Sequence, residues 1–578
     1  MNKFREMLKI RFWLAGLGFP ILLAASITVV FIRFYSNHFR ENSPLGYDGD
    51  SLYILGNLRA SYEGGIQPLW PILVQRLNSP SAAEWSDFPM SEYVFWLPSF
   101  LVPWFGVFGA ANLFALLSLI SAGLAFYFVA CAMGSARVLA CILGILFALL
   151  PYGFVRNIEH LMLTIYFVVP VFIYCAWRLW GQDGAKLSRR EVVWLCVLAL
   201  GCSLFMPYYW AMFLVLLAFV AMGHLANLSL KGVAFCAVVG LAACIGFVLQ
   251  NVDTFLFRLQ EGANPEAFGR SLWWMVKFGL YLPDMLLPKF HMYLPWEQLA
   301  GKHYHWKIPE QIQGESQTAY IGIIAVLGLG ILMIRGLARA SAGKMSDQPA
   351  LFWFAIVVFC FAVVGGVNYL LGAFGFQFLR ASNRYSLFLA AIGLFYLALL
   401  LTRLKSKPVL LAIICAAILP IGIYDQIPKI PDWLRSQREQ ATERFLLDKE
   451  FFPEMERRLP DGGMVFQFPV HGFPENGPVH EMGDYEHFRP YLHTKNLRFS
   501  YGTVKGRKGS DWQAKLDDNK PLEVTTELVA KGFGHVLINR RAYADQGEGL
   551  KNRLEGAGMR EIMQNKDFFI LEIGGVKG

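Results

Sequence analysis

Long unbroken apolar runs dominate this chain, and polar residues gather between them. Runs near 20 residues recur from residue 13 to residue 424, the length a helix needs to cross about 30 Å of hydrocarbon. The pattern predicts eleven spans, at 13–33, 111–132, 137–154, 161–180, 191–206, 209–227, 232–250, 318–336, 351–372, 385–402 and 408–424. The stretch 94–108 is apolar too, but it is short and holds Trp96, Pro98, Pro103 and Trp104. It reads as an interfacial helix rather than a span. Beyond 424 the pattern changes. Val465–Phe468 and His535–Ile538 read as buried strands, and Phe445–Arg458, Thr525–Lys531 and 550–557 as helices. The expected fold is a polytopic α-helical membrane domain over 1–424, with outer loops 34–110 and 251–317, followed by a soluble α/β domain over 425–578.

Charge gives this pattern a direction. Lys3, Arg5, Lys9 and Arg11 precede the first span, and every second loop afterwards is basic: Arg137, then Lys186, Arg189 and Arg190, then Lys231, then Arg335, Arg339 and Lys344, then Arg403, Lys405 and Lys407. By the positive-inside tendency that face is cytoplasmic. The N-terminus is then cytoplasmic, its run to Phe34 is a retained anchor rather than a cleaved signal, and the tail is periplasmic, as in a multi-pass protein of a bacterial inner membrane. Only 16% of the 578 residues are charged, against about a quarter in soluble chains. The net charge of +9 is accounted for by these loops, so nucleic acid is not an expected partner. All nine cysteines lie in apolar runs, which excludes a disulfide framework and a cysteine metal site.

The polar constellations fall on the outer face. Asp48-Gly49-Asp50 follows the first span; glycine lets both carboxylates turn toward one point, where they suit a divalent cation on a phosphate or supply a general base. The same loop carries Asp87. Arg156 and His160 lie in a short turn between spans, where an imidazole suits a phosphate or a leaving group. Arg380 and Arg384 stand four apart before the tenth span, outside the basic face. Helical spacing would put them on one side, as a clamp for a lipid phosphate. His303 and His305 in the long loop make a weak metal pair without a clear third ligand. No nucleotide-binding or hydrolase motif occurs.

Several stretches resemble the GT-C superfamily of integral membrane glycosyltransferases, and within it a bacterial group. They are Asp87-Phe88-Pro89-Met90 with the interfacial helix, Asn112-Leu113-Phe114, Phe147 to Tyr152 running on to Glu159-His160, Leu379 to Arg384, and the Tyr-, His- and Arg-rich segment Asp484 to His493. The resemblance implies transfer of a sugar from a polyprenyl-phosphate donor to a glycan, lipid or protein acceptor. It implies an inverting mechanism with Asp48 or Asp50 as base, the lipid phosphate on Arg380 and Arg384, and His160, Arg156 and Asp87 as further substrate-binding residues. Metal dependence is left open, since no second acidic pair stands out. A transporter or flippase of a lipid-linked glycan is the alternative; it would call for ionisable residues inside the spans, which are nearly absent.

Overall fold

The computed structural model describes residues 2–87, 89, 91–268, 271–288, 318–345, 348–427, 432–516 and 521–574. His303, His305, Phe88 and Met90 lie outside the described residues. Helix α1 (Asn2–Phe34) leads into a polar segment with α2 (Gly49–Tyr62), the ribbon β1–β2 (Leu73–Val74 and Ala83–Glu84) and the short α3 (Glu92–Ser99). There follow α4 (Val102–Ala132), α5 (Arg137–Ala148), α6 (Val168–Leu179), α7 (Arg189–Cys202), α8 (Pro207–Ala226), α9 (Leu230–Gln250) and α10 (Val252–Glu261). After the long loop come α11 (Ile323–Ser341), α12 (Ala350–Ala362), α13 (Ser386–Thr402) and α14 (Pro408–Gln426).

Among the described residues, eight helices are long and apolar enough to cross a membrane, so the protein is a multi-pass membrane protein. Three expected spans are shorter than read. The run 161–180 opens with a 3-10 turn at Leu161–Thr164 before α6, and the run 191–206 is helical as α7 over 14 residues. The run 351–372 stops at Ala362, where Gly365 takes a positive φ of 75° and the chain resumes at Val367–Ala373. No single helix runs through 94–108 either, since α3 ends at Ser99 and Gly106 leaves helical geometry at φ 66°, ψ 173°. Glycines allow one close helix contact. A Cβ on Gly328 of α11 would lie 2.2 Å from the Gly393 carbonyl oxygen of α13, so these two backbones touch, as small residues allow.

The tail begins with α15 (Asp432–Arg458) and builds a five-stranded sheet from β3 (Met464–Phe468), β4 (Arg498–Phe499), β5 (His535–Asn539), β6 (Met559–Gln564) and β7 (Phe568–Ile573). The strand order is β4-β3-β5-β7-β6; β3 runs parallel to β4 and β5, and β7 antiparallel to β5 and β6. Strand alternation divides the apolar residues between two faces. Phe466, Phe468, Val536, Ile538 and Phe569 pack with Leu528 and Leu554 of the sheet's own helices. Val465, Leu537, Phe568 and Ile570 turn the other way, to Phe452 and Met455 of α15, in the core continuous with the membrane helices.

The first polar segment is bound to this sheet by its backbone. Phe499 N–H donates to the Arg76 carbonyl at 2.8 Å, Ser79 N–H to Phe499 at 2.9 Å and Asn78 N–H to Tyr501 at 2.8 Å. Residues 76–79 thereby pair along the outer edge of β4. The buried Trp85 indole adds a bond to the Gly502 carbonyl at 2.8 Å, and Gly56 of α2 lies directly on the Phe488 ring.

Candidate active site

Asp48 and Asp50 flank the first turn of α2. Asp48 is the extended residue before the helix, and Asp50 lies in its first turn, where the helix dipole favours negative charge. The backbone turn between them is made by Gly49 at a φ of 43°, a left-handed conformation that glycine accepts at little cost. Asp50 faces His160, whose Nε2 lies 3.4 Å from Oδ2. Asp48 accepts a hydrogen bond from Gln437 Nε2 of α15 at 3.1 Å. A small cleft beside it is lined by His38, Tyr47, Asp48, Glu159, Gln437 and Arg438. Burial and the Asp48 carboxylate push the Glu159 carboxyl up to about 7, against the pull of Arg438 and Arg156. Glu159 can thus exchange a proton near neutrality.

The turn that holds Glu159 and His160 reaches a second group of residues. The buried Arg156 stacks over Tyr152 at 4.4 Å and donates from Nη2 to Asn383 Oδ1 at 3.4 Å. Arg384 follows directly and stacks over Tyr208 at 4.3 Å. Arg380 stacks over Trp274 at 4.4 Å. A guanidinium laid on a ring keeps its hydrogen-bonding edge in plane, a geometry that suits phosphate. The helical spacing expected for Arg380 and Arg384 is corrected here. Gln377–Leu379 and Ser382–Tyr385 are separate 3-10 turns, because Asn383 donates to the Phe278 carbonyl at 2.8 Å and Ser382 to that of Ala362 at 2.7 Å. These bonds pull the chain out of a regular helix, and the two arginines stand on different aromatic partners.

Asp87 belongs to another place. It is fully buried, accepts from Arg507 Nε at 2.9 Å and Asn264 Nδ2 at 2.7 Å, and has Arg258 Nε at 3.7 Å. These partners come from the tail and from the region of α10, so Asp87 joins three parts of the chain. Among the described residues, no three His, Cys, Asp or Glu gather in a metal-holding group.

Sequence reasoning read only Phe445–Arg458, the second half of α15, as a helix, and did not place it at this site. Its residues Gln437, Ala441, Arg444 and Asp448 share one face by their spacing, and that face lies on the segment just before α2. Phe445 meets the Tyr47 ring at 5.3 Å, and Tyr47 O–H donates to Asp448 Oδ2 at 2.8 Å. Asp448 also receives Arg489 Nε at 2.6 Å; Arg489 further bonds Asp567 at 2.8 Å and Glu486 at 3.2 Å, all of it buried. The periodicity of α15 is visible in the sequence, but its partner is not.

No family model matches the chain, and no curated protein matches it. Among solved structures it is similar to ArnT from Cupriavidus metallidurans bound to undecaprenyl phosphate, at a TM-score of 0.51 and 12% identity over 97% of this chain and 100% of that one. Weaker likenesses include the archaeal oligosaccharyltransferase AglB from Archaeoglobus fulgidus, with a TM-score of 0.42 and 12% identity over 94% of this chain and 72% of that one. Arabinofuranosyltransferase AftD from Mycobacteria gives a TM-score of 0.44 and 14% identity over 96% and 41%. The likeness to ArnT covers nearly the whole chain, helical part and tail alike, and it shows that this chain shares the ArnT fold.

Proposed function

We propose that this protein is an inverting membrane glycosyltransferase. It takes a sugar from a polyprenyl-phosphate donor and passes it to an envelope glycan, lipid or protein on the periplasmic face. The observation that carries the reading is the Arg156–His160 turn, which touches Asp50 at one end and the Arg384 segment at the other. A base and a phosphate clamp are thereby tied to one short stretch of chain. The ArnT structure, which has the same fold, holds undecaprenyl phosphate.

In this reading Asp48 or Asp50 removes the proton from the acceptor hydroxyl as its oxygen bonds the anomeric carbon from the opposite side. The bond from that carbon to the phosphate oxygen breaks, and the electron pair leaves with polyprenyl phosphate. Arg380 and Arg384 hold the growing negative charge. The test is thermal unfolding in detergent with undecaprenyl phosphate, comparing wild type with Arg380→Ala/Arg384→Ala. A stabilisation that the double variant loses supports the donor site. Asp48→Asn and Asp50→Asn, assayed for sugar transfer, should separate the base, whose loss costs about 10²–10⁴-fold, from its neighbour. A well-folded wild type unmoved by undecaprenyl phosphate would overturn the reading.

A further inference from the structure

At the far end of α2 from the aspartates, the chain builds a second basic site. Arg59 follows Asp50 along the helix at a distance of about 14 Å, at about 1.5 Å per residue. There a cleft of about 850 Å³ opens, with Arg59, Glu63, Arg76 and Lys495 in its wall. Glu63 holds two of these cations together, its Oε1 accepting from Arg59 Nε at 2.6 Å and from Arg76 Nη1 at 2.7 Å. Its Oε2 accepts from the Tyr491 hydroxyl at 2.9 Å. The tail fixes both guanidiniums: the Thr494 carbonyl accepts from each at 3.1 Å, and the Leu497 carbonyl accepts from Arg76 Nε at 2.9 Å. Lys495 is exposed, and its backbone N–H is anchored on Glu456 at 2.7 Å. Among the described residues its ammonium makes no hydrogen bond or ion pair. Three cations against one carboxylate leave this wall with positive charge in surplus.

Val102, Gly106 and Val107 of α4 line the same cleft, and they put it at the edge of the membrane. Helix α4 breaks at Gly106, where φ is 66°, and the residues from there to Ala132 suffice to cross the hydrocarbon. The turns before the break are left at its boundary. Trp104 there is 74% exposed, and Phe100 and Phe105 are each 54% exposed, the aromatic girdle expected where a chain meets headgroups. A soluble anion gains nothing from such a rim, whereas a lipid brings its phosphate to that depth and its chains beside the rings. We propose that the cleft binds the headgroup of an anionic phospholipid, with Arg59, Arg76 and Lys495 around the phosphate and Trp104 against the acyl chains. Bound there, the lipid steadies the C-terminal end of the helix whose first turn carries Asp50. The site lies apart from the transfer chemistry and does not depend on it.

The experiment uses the full-length protein, stripped of lipid by extended washing in a non-ionic detergent, and follows thermal unfolding. The ligands are phosphatidylglycerol, phosphatidylcholine with the same chains, glycerol 3-phosphate and undecaprenyl phosphate. Phosphatidylglycerol should raise the melting temperature more than phosphatidylcholine does, and glycerol 3-phosphate should leave it unmoved. Lys495→Gln should weaken the phosphatidylglycerol response about fivefold, Lys495→Glu should weaken it further, and Trp104→Ala should weaken it too. Both positions are exposed, and an unchanged melting temperature without lipid shows that the variants are folded. Arg380→Ala/Arg384→Ala should keep the phosphatidylglycerol response while losing that to undecaprenyl phosphate, which tells the two sites apart. An equal response to the two phospholipids, an equal response to glycerol 3-phosphate, or none to phosphatidylglycerol overturns the proposal. So does a response that Lys495→Glu keeps in full, or one that Arg380→Ala/Arg384→Ala abolishes, since the lipid would then sit at the donor site. A wild type that answers phosphatidylglycerol but not undecaprenyl phosphate upholds the cleft and sinks the transferase reading instead.

Discussion

Glu159 sheds its proton near pH 7 when folded, from an ordinary value of 4.5. Between those values the folded chain holds more protons than the unfolded one, so stability is greatest below about 4.5 and falls as pH rises through 7. Glu159→Gln is neutral throughout and should remove this fall, a difference on the order of 3 kcal/mol between wild type and variant. Unfolding curves at pH 5 and pH 8 measure it; a variant with the wild-type pH slope would refute the assignment. The same residue marks a limit of the sequence. Arg156 and His160 draw attention by charge and by their place beside a span. The Glu159 carboxyl is raised because burial and Asp48 act on it together, and no local pattern reports either. Asp87 shows the converse, since an acidic residue in the right loop turns out to hold Arg258, Arg507 and Asn264 together.

Among the elements, the apolar pattern located most helices, because a lipid-facing run has no other way to satisfy its backbone. It misjudged their lengths at 161–180, 191–206 and 351–372, where tertiary hydrogen bonds and a left-handed glycine end the helix and hydropathy continues. The strands at Val465–Phe468 and His535–Ile538 were legible from short buried runs, whereas the pairing of β4 with residues 76–79 was not, since nothing local links positions so far apart. Helix contact is equally non-local. Gly328→Val would press a side chain against the Gly393 carbonyl and should cost about 1–3 kcal/mol. Because α13 starts just after Arg384, the change should also weaken the response to undecaprenyl phosphate. Gly330→Val, where no atom lies within 4 Å, is the control. Equal thermal stability of the two variants would show that α11 and α13 are not locked at Gly328.

Across the whole molecule, Arg489 is the joint on which the parts meet. It binds α15 through Asp448 and the sheet through Asp567, while Asp448 carries Tyr47 and the start of α2. Arg489→Met would leave buried Asp448 and Asp567 without their counter-charge, while Glu486 keeps Arg541, a loss of about 3–5 kcal/mol, and should loosen Asp48 as well. Limited proteolysis with cleavage sites mapped by mass spectrometry reads both effects; a variant as resistant as wild type would show that the joint is redundant. The tie between Tyr47 and Asp448 crosses 401 positions of sequence. The loop bearing Asp48 and Asp50 is therefore made long before the helix that shapes it, and it waits unfinished until the tail has been synthesised. The order of translation then works as a safety catch: a chain that stops early carries Asp48 and Asp50 but lacks the Gln437 and Asp448 contacts that shape their surroundings.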